Sequence, residues 1–242
     1  MKSLVFSALV STFIVACAAD PGTRPHDMSA TSHESMAKQE EQTADAHAAQ
    51  YNPSAQSKTE SCGRSGCWTS TTNPTKEHDA DAQHHRELAA KHRAASAALA
   101  QAEAQACVGI PDDDRDISPF FHREDIKSVS PLVEQVRNGK TVVDKRVGAT
   151  VVFRALPGMT AEWLQRVVDC HLARAAAVGH AMPEMDYCPL ELNNVTAKVT
   201  SVGDGFAVNI RSNDAPTVDQ VIARATALTS APAAAPAGQA SK

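Results

Sequence analysis

Between Gly148 and Leu172 the chain reads as a buried strand running into an amphipathic helix. Ala149 to Phe153 is a short β-branched and aromatic run, and Leu156-Pro157-Gly158 interrupts it. Thr160 is a good N-cap, and Glu162 sits in the first turn, where the helix dipole favours a negative charge. Leu164, Val167, Val168, His171, Leu172 and Ala175 then recur at the spacing of one helix face, and Gly179 is a natural stop. After a loop over 180–190, Val195, Ala197 and Val199 alternate with polar residues. Gly203-Asp204-Gly205 turns the chain, and Phe206, Val208 and Ile210 alternate again, which predicts a hairpin. Asp214 caps a last helix with Pro216 in its first turn and Val218, Val221, Ile222, Ala225 and Leu228 on one face. Upstream, Ile126 to Val136 is apolar without a clear period. Asn138-Gly139 signals a turn, and Thr141 to Val143 is a short predicted strand.

The N-terminal half has a different texture. Ser29 or Ser32 caps a predicted helix to Ala49, and Tyr51-Asn52-Pro53 stops it. Residues 52–72 are rich in Ser, Thr and Gly and are expected as a loop carrying Cys62 and Cys67. Asn73-Pro74 starts a second helix that continues without Gly or Pro to Cys107, a length of about 50 Å at ~1.5 Å per residue. With alanine as their main apolar residue, the two predict a thin antiparallel hairpin. His26, His33, Glu40 and His47 are each seven apart, as are His78, His85 and His92. Seven residues rise ~10.5 Å, so a shared ion would need donors from both helices, with Asp81 able to join. The plainer reading is a polar stripe flanking an alanine seam. Asp112, Asp114 and Asp116 alternate as in a calcium loop, but Ile117 and Arg123 stand where that loop needs Gly and Glu, so an acidic linker is expected.

Lys2 followed by the apolar run Leu4 to Val15 has the layout of a secretory signal, and Ile14-Val15-Ala16-Cys17 resembles the lipobox of bacterial lipoproteins. The resemblance implies cleavage before Cys17, lipidation of Cys17 and, from Ala18, a place in the outer membrane facing the periplasm. The expected organisation is signal 1–16, tether 17–28, helical hairpin 29–107, acidic linker 108–124, α+β unit 125–228 and a disordered Ala/Pro tail 229–242. The chain is mildly acidic and only 4% aromatic, which argues against a nucleic-acid surface. Six cysteines in an exported chain point to disulfides. Cys170 with Cys188 is the expected bridge, because the ten residues after the helix span up to roughly 33 Å against a helical return of about 12 Å. Cys107 with Cys62 or Cys67 stays open.

From Ala149 to Leu228 the order strand, helix, strand, strand, helix, with Gly158-Met159-Thr160 at the first junction, resembles the heavy-metal-associated domain. Val167 and Leu172 in the first helix and Thr217 to Ala225 after the hairpin also match. The resemblance implies a ferredoxin-like two-layer sandwich, a four-stranded antiparallel sheet with two helices on one face. Thr141 to Val143 would take the edge that the family's last strand fills. The family's metal-binding CxxC is replaced at its cysteine positions by Ala161 and Leu164, so the usual activity is removed.

The fold class expected is therefore α+β. No nucleophile–base pattern, P-loop or dinucleotide fingerprint is present, and the first functional reading is a non-enzymatic, lipid-anchored module without cofactor. It would bind an envelope partner through the open sheet face and Trp163. The alternative is a copper- or zinc-binding protein using His180, Met182 or Met185 beside Cys170, His171 and Cys188, or using the paired helical histidines. A structural spacer is the third reading.

Overall fold

The computed structural model describes residues 20–230; the signal-like segment, Cys17 and the tail beyond Ser230 lie outside the described residues. Helix α1 (Ala30–Gln50) starts at Ser29, whose hydroxyl accepts from the Ser32 amide. Residues 52–72 are not a loop: β1 (Ser57–Gly63) and β2 (Gly66–Thr72) pair antiparallel around the two-residue turn Arg64-Ser65. Cys62 and Cys67 face each other in that register and are disulfide-bonded. Thr69, Thr71 and Thr72 supply β-branched residues that suit an extended chain. A lone two-stranded ribbon is marginal in water, and the cross-strand disulfide holds its turn end closed. Helix α2 (Lys76–Ala106) returns antiparallel to α1, and a single turn, α3 (Asp112–Arg115), follows within the segment expected as a linker.

The rest is β3 (Ile126–Asn138), β4 (Thr141–Arg154), α4 (Ala161–Val178), β5 (Val195–Val202), β6 (Gly205–Ser212) and α5 (Ala215–Ser230). The architecture is thus α+β, with one antiparallel sheet of two strands and one of four in the order β3-β4-β6-β5. Apolar rows run across the larger sheet: Val129, Val151, Val208 and Val199 are mutual partners, as are Ala149, Ile210 and Ala197. Leu164, Val168 and Ala175 of α4 and Val221, Ala225 and Leu228 of α5 pack on these rows in one core. Thr160 caps α4 by accepting from the Trp163 amide, and Gly179 ends it in the left-handed conformation.

Thr141 to Val143 is not a separate edge strand. It is the first part of β4, and the edge is β3. Pro131, which has no amide hydrogen to give, fits such an edge. Strand β6 pairs only with residues 148–154 of β4, so the outer half of the β3–β4 hairpin stands beyond the sheet. This explains why Val133, Val142 and Val143 are exposed despite their apolar character. The change comes at a bulge, where Leu132 faces Gly148 and Val133 faces Arg146, leaving Val147 as the extra residue.

The helical pair is tied to α4 by a disulfide between Cys107 and Cys170, not by the expected Cys170–Cys188 bridge or by Cys107 with Cys62 or Cys67. Adjacent helical residues point about 100° apart. Cys170 faces Ile110 and the end of α2, while its neighbour His171 faces Cys188. Chain length showed that Cys188 could return to the helix, but the side on which Cys170 projects decides its partner. Arg174 reinforces the same junction through Glu103 at 3.1 Å and Asp116 at 2.8 Å. No helix among the described residues is long and apolar enough to cross a membrane.

Candidate metal centre

The histidines lie within the helical seam and do not merely flank it. Positions 33, 37, 40, 44 and 47 of α1 follow alternating steps of four and three, the spacing that keeps one stripe facing a partner helix. Positions 78, 82, 85, 89 and 92 of α2 do the same in the opposite direction. Ala37, Ala44, Ala82 and Ala89 fill alternate layers and are at most 1% exposed. Methyl-sized layers let the backbones come close, and the intervening imidazoles then meet across the seam.

Three polar layers result, and they differ chemically. At the sealed end, His33 Nδ1 lies 3.0 Å from His92 Nδ1, and His33 Nε2 lies 3.1 Å from the Arg24 carbonyl. The Nε2–H of His33 donates to that carbonyl, and one hydrogen is shared between the two Nδ1 atoms. Both ring nitrogens of His33 and Nδ1 of His92 are engaged, and burial, aided by His33, pushes the His92 pKa down. This layer is a satisfied core pair. In the middle layer, Glu40 takes His85 Nδ1 at 2.5 Å.

The third layer, near the β1–β2 ribbon, is half-buried. His47 Nδ1 is 3.2 Å from His78 Nδ1 and 3.5 Å from Asp81 Oδ2. The three donor atoms all lie within 4.8 Å of one another. Two ligands at ordinary zinc distances, set at a tetrahedral angle, stand about 3.4 Å apart, and both measured separations match that value. His78 and Asp81 are three apart on one helix, hence on one face, and His47 comes from the facing helix. His85 stacks on His47 with ring centroids 5.5 Å apart. Glu60 lies beside Cys62 and Cys67, but the disulfide removes both sulfurs as ligands.

The other expected donors are differently placed. His180 Nδ1 is 3.1 Å from the Glu191 carbonyl, and burial lowers its pKa. Met182 and Met185 are buried in the apolar core and packed among aliphatic side chains. Cys170 is in its disulfide, whereas Cys188 is a buried free thiol with its Sγ 3.4 Å from His171 Nε2. Ala161 and Leu164 occupy the first turn of α4 and offer no ligand. Glu191 and Ser118, which sequence reasoning missed, also reach the Cys188 region, Ser118 Oγ at 3.2 Å from the thiol and Glu191 Oε2 at 4.0 Å from His171 Nε2. Nothing in their local sequence marks them.

Burial drives His171 down to about 4 against the pull of Asp116 and the Ile117 backbone, and raises the Cys188 thiol to about 11. Both groups are neutral at pH 7. Because the folded His171 binds its proton less well than an unfolded histidine, its contribution to stability is complete above about pH 6.5 and is lost as pH falls towards about 4. The loss amounts to roughly 3 kcal/mol at 1.36 kcal/mol per pH unit. Burial raises the Glu191 pKa, which acts in the opposite sense. The His171 share is therefore read by comparing urea unfolding of wild type and His171→Gln at pH 7 and pH 4. The variant is expected to lose less stability on acidification, and parallel losses would contradict the assignment.

Compared with known protein families, characterised proteins and solved structures, the chain matches none.

Proposed function

We propose that this is a non-enzymatic metal-binding protein whose two-helix clasp, His47, His78 and Asp81, takes a divalent transition ion such as Zn²⁺ or Cu²⁺. The observation carrying this reading is the set of three donors from two helices whose atoms all lie within 4.8 Å, with His47 3.2 Å from His78 and 3.5 Å from Asp81. Imidazole and carboxylate ligands without sulfur suit these divalent ions better than Cu(I). The His47 and Asp81 side chains are 26% and 44% exposed, which leaves the clasp accessible from solvent. A lipid on Cys17, with the chain facing the periplasm, would place the clasp where envelope metal ions are met. We also assign the C-terminal part to the ferredoxin-like sandwich. The order β3-β4-β6-β5 supports this, with β3 in the place of the family's last strand. Its ion-binding capacity would then have moved from the first turn of α4 to the helical pair.

Isothermal titration of the purified chain with Zn²⁺ tests the reading. One ion is expected to bind at micromolar affinity or tighter. Losing even an outer-sphere partner typically costs 10–100-fold in affinity, so His47→Ala and His78→Ala should each weaken binding by at least ~10-fold, while His33→Ala leaves it unchanged. Absence of binding, or equal affinity in all three variants, would refute the proposal.

The partner-binding reading keeps one specific support. A groove of ≈ 550 Å³ is lined by Met159, Trp163, Leu164, Ile117 and Leu156, with Trp163 46% exposed. An apolar partner segment docked there would quench or shift Trp163 fluorescence, with Trp163→Phe as the control, and no change on adding envelope extract would dismiss it.

A further inference from the structure

Between α1 and α2 the β1–β2 ribbon projects with little to cover it. Among the described residues neither strand packs extensively on any element but the other, and all of β2 is exposed, Trp68 at 57%. The base of the ribbon is held by Asn73 Nδ2 and Thr75 Oγ1, which donate to the Asn52 carbonyl at 2.9 and 3.1 Å. Its tip is the two-residue turn Arg64-Ser65, so Gly63 and Gly66 exchange both backbone hydrogen bonds across the ribbon. Hydrogen-bonded and non-hydrogen-bonded pairs alternate from there. Trp68, Ser70 and Thr72 therefore turn their amides inward to β1, while Cys67, Thr69 and Thr71 turn theirs outward. The Cys62–Cys67 Cα separation of 4.0 Å, the closer spacing of a non-hydrogen-bonded pair, agrees with this phase. The two outer edges differ in composition. Strand β1 carries Lys58 and Glu60, charges of the kind that guard an edge, whereas β2 holds no charged residue and no proline.

We propose that the outer edge of β2 is a self-association surface, on which β2 of a second copy of this chain adds antiparallel to make a four-stranded sheet. A pairing centred on Thr69 is the register that uses every outward group. Thr69 then meets the partner's Thr69, Cys67 meets the partner's Thr71, and Thr71 meets the partner's Cys67. These are hydrogen-bonded pairs, so the outward N–H and C=O groups of all three residues are satisfied on both strands. Trp68 falls opposite the partner's Ser70, which brings both indoles to one face of the sheet as diagonal neighbours. Threonine opposite threonine is a favourable cross-strand pair, and no like charges are brought together. A second copy is the occupant this edge selects, because the same seven residues satisfy both sides in one register. Two strands alone are marginal in water and gain stability as part of a larger sheet, so each ribbon supplies what the other lacks. The charged β1 edges then lie outermost and close the assembly as a twofold dimer.

Residue-resolved amide exchange by NMR tests this on the full chain carrying Cys17→Ser, in which position 17 has neither lipid nor thiol. Seven residues a side is well below the roughly 20–30 of a standard interface, so association is expected between about 20 µM and 1 mM. Over that range the amides of Cys67, Thr69 and Thr71 should slow by at least ~5-fold as they pass from water to the partner strand. Those of Lys58, Glu60 and Cys62 should stay fast, and the sedimentation coefficient should move from monomer to dimer. Thr69→Lys sets two ammonium groups directly opposite each other across the twofold axis and should abolish both changes. In that variant the amides of Trp68 and Ser70, bonded within the ribbon, keep the protection they have in dilute wild type. The wild-type series decides without the variant. Constant exchange at Cys67, Thr69 and Thr71 up to about 1 mM overturns the proposal, and so does a dimer whose added protection lies at Lys58, Glu60 and Cys62 or outside the ribbon. Association that survives Thr69→Lys with the ribbon intact overturns it as well.

Discussion

Gly148→Ala is expected to destroy the four-stranded sheet, at a cost of more than about 4 kcal/mol, the range reserved for severe steric or burial defects. A Cβ at this position would lie 1.8 Å from the Ile210 carbonyl oxygen, 2.8 Å from its carbon and 3.0 Å from Arg211 Cα. All three are backbone atoms of the neighbouring strand, so no rotamer change relieves the contact. Only separation of β4 from β6 would, and that breaks the rows joining Ala149 to Ile210 and Val151 to Val208. Gly148 sits beside the bulge at Val147, where the hairpin leaves the sheet, and the close approach of the two backbones there is what excludes a side chain. Gly139, at the exposed turn, has φ +63 and nothing near its would-be Cβ. Gly139→Asn should change stability by less than about 1 kcal/mol, because asparagine tolerates that conformation. Urea titration followed by circular dichroism reads both variants. A Gly148→Ala chain with a normal transition would show that the strands are not paired in this register.

Removing the Cys107–Cys170 bridge with Cys107→Ala and Cys170→Ala should lower stability by about 4 kcal/mol. The loop it closes has a sequence separation of 63, and chain-entropy reasoning places a closure of that size near 4 kcal/mol. The Cys62–Cys67 bridge has a separation of 5 and by the same relation is worth about 2 kcal/mol, confined to the ribbon between the helices. The double alanine variant should therefore unfold at distinctly lower denaturant, and Cys62→Ala with Cys67→Ala should shift the transition about half as far. Equal shifts would mean that the covalent tie between α2 and α4 contributes no more than the ribbon's own disulfide.

Local pattern carried the helices well. Ser29, Thr160, Gly179 and Asp214 mark their ends because capping is a short-range matter between a side chain and the nearest amides or a single backbone angle. The hairpin Val195 to Ser212 was legible for a similar reason, since one buried face imposes alternation. Strand β3 was not, because an edge strand that runs off the sheet buries little beyond Ile126 and carries no period to read. The ribbon of β1 and β2 was missed because it is almost entirely exposed and hydrophobic alternation has nothing to report there.

The sequence by itself determined the heptad spacing of His33, Glu40 and His47 and of His78, His85 and His92. It also showed that any shared ion must lie between two helices, since one helix spaces such residues too far apart. Only the tertiary structure decided that the two stripes meet in the seam, that His33 and His92 satisfy each other while His47, His78 and Asp81 converge, and that Cys170 goes to Cys107 and leaves Cys188 beside His171 and Glu191. The physical reason is that spacing along a chain sets which residues share a face. Which face meets which depends on how closely alanine layers let two backbones approach and on the direction each side chain leaves its helix, and both are properties of packing between elements far apart in sequence.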